Sequence, residues 1–230
     1  MSRPTIFLFD IDDTLVSTAG AGRRALHAAF CDLLGERDWL PFSLAGMTDR
    51  SIVRCALRDA GRADDAASID RVLGRYLERL VDEVARAEGY AVFPGVLPVL
   101  DALARLPGRC AVGLGTGNLE AGAKIKLARG GLDGRFAFGG FGSDHEVRAE
   151  ILRAGARRGA LRLGEPVERC RVVAIGDTPR DVEAALAIGA GCVGVGTGAQ
   201  SPDELRAAGA FAAFADLTAP GALAALLGEV

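Results

Sequence analysis

The chain has 230 residues, half of them hydrophobic and a quarter charged, which suits one domain with a sizeable core and room for a smaller insertion. A formal net charge of −3 excludes a global electrostatic pull toward nucleic acid or anionic membrane. The five cysteines are scattered, odd in number and without a CxxC pair, so they read as free thiols of a reducing compartment. The first apolar run is short and broken by Asp10, and no segment has the apolar length of a membrane span. A cytoplasmic protein is expected, with no membrane or nucleic-acid partner.

In chain order, Ile6 to Phe9 reads as a buried strand that ends in three acids, Asp10, Asp12 and Asp13. Carboxylates packed this closely are costly to ionise together unless a cation intervenes. A hard divalent ion such as Mg²⁺ takes oxygen ligands and keeps several waters. Taken alone, Asp12 and Asp13 would serve equally well to cap a turn or helix.

Residues 17–89 show helical periodicity over 23–34, 48–60 and 69–87, with Val72, Leu73, Tyr76, Leu80 and Val84 near one face. Thr48-Asp49-Arg50-Ser51 is a helix start and Gly61 a stop. Trp39, Phe42 and Met47 are expected to pack inside this block. His27 has no ligand-type neighbours, so it reads as a solvated or core histidine.

From Tyr90 strands and helices alternate, which signals an α/β domain with a parallel sheet. A helix over 96–106 precedes a strand over 110–114, which runs into Gly115-Thr116-Gly117-Asn118 and a helix carrying Lys124 and Lys126. A hydroxyl at a strand end with helix-start amides behind it makes an anion cradle, although the same residues also form an ordinary turn. A short strand is predicted near 136–138, then a helix over 147–158 with Arg148 in its first turn. His145, alone in its loop, does not point to catalysis. The strand 172–175 ends in Gly176-Asp177-Thr178-Pro179-Arg180-Asp181, so a second strand carries acids to its carboxyl end. Strands over 192–195 and 211–214, the latter at an edge, and a helix over 219–227 close the chain, while Asp203 and Glu204 read as solvated helix-start acids.

Four stations together resemble the haloacid dehalogenase-like hydrolase superfamily, in its phosphatase branch with a helical cap (phosphoglycolate-phosphatase-like). They are Asp10-Ile11-Asp12-Asp13-Thr14-Leu15, which is similar to a DxDxT signature; Thr116 after an apolar strand; a basic residue before the last acidic strand; and Gly176 to Asp181, similar to a GDxxxD ending. The resemblance implies a Rossmann-like parallel sheet with helices on both faces, formed by 1–16 and 90–230, and an all-helical cap at 17–89. It implies a Mg²⁺-dependent phosphatase acting on a small-molecule phosphate monoester. Asp10 would be the nucleophile and Asp12 the general acid and base. Mg²⁺ would be held by Asp10, Asp177 and the backbone carbonyl of Asp12, with Asp181 supporting through water. Thr116, Gly117 and Asn118 would bind the phosphoryl oxygens.

The family usually supplies a lysine at the third station, where this chain has Arg148; Lys126 is the second basic candidate for the same oxygens. Asp12 disfavours dehalogenation, because dehalogenase members lack that acid. Phosphonate cleavage is excluded because 17–89 contains no lysine for a Schiff base. A sugar phosphomutase on the same core and a non-catalytic binding module stand as alternatives. The resemblance also implies cap motion, with hinges near 16–20 and 89–93. Arg50, in the loop expected to face the site, is a candidate anion contact. Substrate and oligomeric state are not legible in the sequence.

Overall fold

The computed structural model describes residues 3–228. It opens with β1 (Thr5–Phe9) and β2 (Val16–Ser17), followed by α1 (Ala21–Leu34), α2 (Asp49–Asp59) and α3 (Ala66–Arg86). The chain returns through β3 (Ala91–Val92) to α4 (Val96–Ala104), β4 (Cys110–Gly115), α5 (Glu120–Ala128), β5 (Gly139–Gly140) and α6 (Arg148–Leu163). It ends with β6 (Arg171–Gly176), α7 (Pro179–Leu186), β7 (Gly191–Val195), α8 (Pro202–Ala207), β8 (Ala212–Phe214) and α9 (Ala222–Leu227).

Six strands form one parallel sheet in the order β5-β4-β1-β6-β7-β8. β1 lies between β4 and β6, and all five of its residues are buried, as a strand covered on both faces requires. Successive side chains alternate between the faces. Phe7 and Phe9 join Val96, Leu100, Leu127 and Leu226 on one face, against α4, α5 and α9. Ile6 and Leu8 join Leu152, Val182 and Leu205 on the other, against α6, α7 and α8. The architecture is therefore an α/β Rossmann-like sheet with helices on both faces. No helix among the described residues is long and apolar enough to cross a membrane.

α1, α2 and α3 bury a separate apolar cluster that includes Phe30, Trp39, Val53, Tyr76 and Leu80. Phe42 and Met47 pack against it, and Trp39 stacks on Phe30 at a centroid distance of 4.9 Å. The two crossings between this cluster and the sheet are tied together: β2 pairs antiparallel with β3, and Phe93 N donates to Leu15 O at 3.0 Å.

The strand predicted near 136–138 lies instead at Gly139–Gly140, and α6 runs to Leu163 rather than 158. The first shift has a steric cause. A Cβ at Gly140 would sit 1.9 Å from Ile151 O, so only a residue without a side chain can pair with β4 where α6 crosses. The aromatic residues before it have the strand propensity but not the clearance. Overpacking of this kind costs about 1–3 kcal/mol or more. Gly140→Ala is therefore expected to lower unfolding stability by at least about 2 kcal/mol in urea titration; an unchanged midpoint would contradict the close approach.

Candidate active site

Because β1, β4 and β6 run parallel and in register, their carboxyl ends open on one edge of the sheet. That edge receives Asp10 from β1, Thr116 from β4 and Asp177 from β6, and open α/β sheets bind ligands at such an edge. Asp181 joins them from the first turn of α7. There Thr178 accepts from Asp181 N through its side chain, and Thr178 N and Oγ1 donate to Asp181 Oδ2 at 3.1 and 2.7 Å. This reciprocal cap fixes the first turn of the helix.

Asp10, Asp177 and Asp181 are buried, and each offers an oxygen within 4.8 Å of the others. The buried Arg148 enters the group from α6, with Nη2 at 2.9 Å from Asp10 Oδ2 and 2.5 Å from Asp181 Oδ1. Burial pushes the Asp10 carboxyl up to about 6, against the opposing charge of Arg148. Burial, joined by the charges of Asp10 and Asp181, pushes Asp177 up to about 8, while Thr14 Oγ1 donates to it at 3.2 Å. Among the described residues, Asp10 Oδ1 and Arg148 Nε have no hydrogen-bond partner. A buried acid cluster with an unpartnered carboxylate oxygen fits a hard divalent cation, and the unpartnered guanidinium nitrogen fits an anion.

A second polar group lies beside the first. Asp13 adopts φ +55°, a left-handed conformation that Asp tolerates, and this turn follows Asp12 directly. Lys126 Nζ donates to Asp12 Oδ2 and to Asn118 Oδ1, both at 2.6 Å. Asn118 Nδ2 donates to Asp12 Oδ2 at 2.9 Å and to Thr116 Oγ1 at 2.8 Å. Burial acts to raise the Asp12 carboxyl, but the Lys126 charge and the hydrogen bonds from Lys126, Asn118 and Thr18 outweigh it and hold Asp12 below its ordinary value. Lys126 is pushed up in turn, since the charge of Asp12 outweighs its burial. The two basic candidates thus sit on different acids: Arg148 on Asp10 and Asp181, Lys126 on Asp12.

The N-terminus of α2 closes over these groups. Thr48 caps the helix through a reciprocal box with Ser51, and Asp49 N donates to Gly117 O at 2.9 Å. Asp49 Oδ2 accepts from Leu119 N at 2.9 Å, so one residue of α2 holds both sides of the 117–119 loop. A Cβ at Gly117 would lie 2.6 Å from Met47 O, which explains the glycine in the cradle. Arg54 pairs with Glu146 at 2.9 Å and Arg180 Nη1 donates to Ala45 O at 2.9 Å, adding polar links across the same seam. The partly open cavity has a volume of about 330 Å³ and is lined by Asp10, Asp12, Asn118, Lys126, Arg148 and Asp49 among others.

Other sequence candidates lie apart from this cavity. Arg50 pairs with Asp70 at 2.7 Å, so the loop that was expected to offer it as an anion contact offers Asp49 instead. His145 Nδ1 accepts from Val147 N just ahead of α6, and His27 Nε2 contacts Arg37 O. Sequence reasoning missed Asp49 and Tyr76 in the cavity wall, and Gly198, where a Cβ would lie 2.0 Å from Asp177 Oδ2. Asp49 had a signal, its place in a helix-start tetrapeptide, but that signal speaks only of capping.

The family profile of the haloacid dehalogenase-like hydrolases matches residues 4–189. The chain belongs to that family. Among solved structures, a hydrolase from Pseudomonas syringae is 20% identical over 99% of each chain, with a TM-score of 0.72. CbbY from Rhodobacter sphaeroides, solved in complex with phosphate, is 21% identical over 97% of this chain and 99% of its own, also at 0.72. A predicted phosphoglycolate phosphatase from Haemophilus somnus is 18% identical over 94% and 96%, at 0.65. At these identities the likeness is one of fold. No curated protein matches.

Asp49 gives the site a testable pH signature. Burial pushes its carboxyl up to about 6 from 3.8, with Lys126 opposing. A carboxyl raised in the folded state contributes its stability below the unfolded value and loses it as pH rises through the folded one. Asp49→Asn is expected to be nearly neutral in stability at pH 4 and stabilising by on the order of 1–3 kcal/mol above pH 7. Urea unfolding at the two pH values measures this; an equal effect at both would contradict a buried, ionising Asp49.

Proposed function

We propose that this hydrolase is a Mg²⁺-dependent phosphatase that cleaves a small-molecule phosphate monoester through an aspartyl-phosphate on Asp10. The observation that carries the reading is the buried Asp10–Arg148 ion pair, 2.9 Å apart on two residues that line one cavity, with Asp10 Oδ1 and Arg148 Nε each left unpartnered. A nucleophile and a phosphoryl-binding cation are the two groups that phosphoryl transfer needs side by side. The phosphate in the Rhodobacter sphaeroides relative is consistent with the same use of the fold.

Mg²⁺, held by Asp10, Asp177 and the backbone carbonyl of Asp12 with Asp181 behind them, would neutralise the charge of the phosphoryl group and the acids around it. The Thr116 hydroxyl, the amides of Gly117 and Asn118, and Arg148 hold the phosphoryl oxygens. Asp10 forms a bond to phosphorus as the ester P–O bond breaks, and Asp12 gives its proton to the departing oxygen. The substrate's negative charge raises the proton affinity of Asp12 for this step. Asp12 then takes a proton from the water that attacks phosphorus, which releases phosphate and restores Asp10. Lys126 holds Asp12 ionised, the form required in this second half. General acid–base help of this kind is worth about 10²–10⁴-fold.

In this reading residues 17–89 act as a cap on a core of 1–16 and 90–230, and its opening admits substrate. The protein acts in the cytoplasm on a free small molecule. Phosphate release across a panel of phosphoesters tests the proposal. Release is expected to need Mg²⁺, to stop with chelator, to fall on the order of 10³-fold or more in Asp10→Asn, and to fall roughly 10²–10³-fold in Arg148→Ala. Isomerisation of a sugar phosphate without release would favour a phosphomutase. The absence of both from a folded protein would favour a binding module.

A further inference from the structure

We infer that the substrate's leaving group is uncharged and hydroxyl-bearing, and that Asp49 selects it against esters that carry a second anion. This rests on the phosphatase reading above. Asp12 marks the leaving-group side of the cavity, because its proton has to reach the ester oxygen. The charges around Asp12 then decide what the leaving group can be.

Two acids on this wall, the partly exposed Asp12 and the buried Asp49, share one buried cation. Lys126 Nζ lies 2.6 Å from Asp12 Oδ2, so that pair is closed, while Asp49 is only 7% exposed and faces the same cavity from α2. Arg23 is the cationic residue that the helices of 17–89 contribute to the cavity lining, but it is exposed. Its Nη1 and Nη2 already donate to Leu40 O and Phe42 O at 2.6 Å each. A solvent-exposed charge is screened, whereas a buried one acts at low effective dielectric, so Asp49 dominates this wall.

A carboxylate or second phosphate on an incoming leaving group would meet net negative charge here, since the free enzyme holds Asp12 and Asp49 against the single charge of Lys126. A hydroxyl would meet acceptors. Asp49 uses Oδ2 for the Leu119 amide, and a carboxylate has about four lone-pair sites, so capacity remains for a substrate O–H. Asn118 and Tyr76 bring further polar groups to the same cavity. The carboxyl pushed up to about 6 by burial remains ionised at pH 7.5, where the selection is to be measured.

The test is kcat/KM at pH 7.5 with Mg²⁺ for glycerol phosphate, phosphoglycolate, a sugar bisphosphate and an aryl phosphate whose leaving group carries no further anion, with wild type and Asp49→Asn. Wild type is expected to prefer glycerol phosphate over phosphoglycolate and the bisphosphate by at least tenfold. Asp49→Asn is expected to shrink that ratio at least tenfold, mainly through lower KM for the anionic esters. If wild type cleaves both kinds alike, or if the variant changes every ester by one common factor, the selection by Asp49 is overturned while the phosphatase reading stands. If wild type hydrolyses none of them, the aryl phosphate included, the phosphatase reading falls and takes this inference with it.

Discussion

Three buried carboxylates and one guanidinium at the carboxyl edge of a parallel sheet set the terms for everything around them. Asp10, Asp177 and Asp181 crowd together where desolvation and mutual repulsion oppose ionisation, and Arg148 offsets only part of that cost. Removing one partner of a buried ionic group leaves the rest uncompensated, which is strongly destabilising. The fold therefore has to hold four elements in fixed register. The β1–β4 and β1–β6 ladders do this for Asp10 and Asp177, the capping box of α7 for Asp181, and the glycine contact between α6 and β5 for Arg148. Such a cluster is costly in a core, and strongly perturbed acids in a cleft are where functional sites concentrate.

The second polar group gives the site its asymmetry. Arg148 pairs with Asp10 and Lys126 with Asp12, so two cations that look interchangeable in the sequence act on different carboxylates; in the proposed mechanism these are the phosphoryl and acid–base sides. The N-terminus of α2 completes the arrangement. Asp49 is bonded to both Gly117 and Leu119, which makes the 117–119 loop and the helical block over it one hydrogen-bonded unit in this conformation. The leaving-group selection proposed for Asp49 and the enclosure of the site would thus share a residue.

How much of this was legible follows from the range of each interaction. β1 with Asp10, and β6 with Asp177 and Asp181, were readable because burial on both faces and a helix cap are local properties that leave local patterns. The short strand was misplaced by a few residues because the decisive contact, Gly140 against Ile151, is set by a helix still to come. The separation of the two basic residues was half readable. Lys126 falls at helical spacing with the buried Gly122 and Ala123, whereas Lys124 falls on the solvated face. That spacing marks Lys126 as a buried cation, but its partner Asp12 is 114 residues away. Asp49 was hidden more completely, since a helix-start acid looks the same whether it faces water or a neighbouring domain.

In the proposed mechanism Asp10 becomes covalently phosphorylated. The most direct measurement is mass spectrometry of the Asp10 peptide after a brief exposure of Asp12→Asn to a phosphoryl donor and Mg²⁺. Without its base the variant should hydrolyse the intermediate slowly, so the account predicts one added phosphoryl group on Asp10 and none when Asp10→Asn is combined with it. Turnover by wild type, with no phosphoryl group trapped on Asp10 or with one trapped at another residue, would contradict the account.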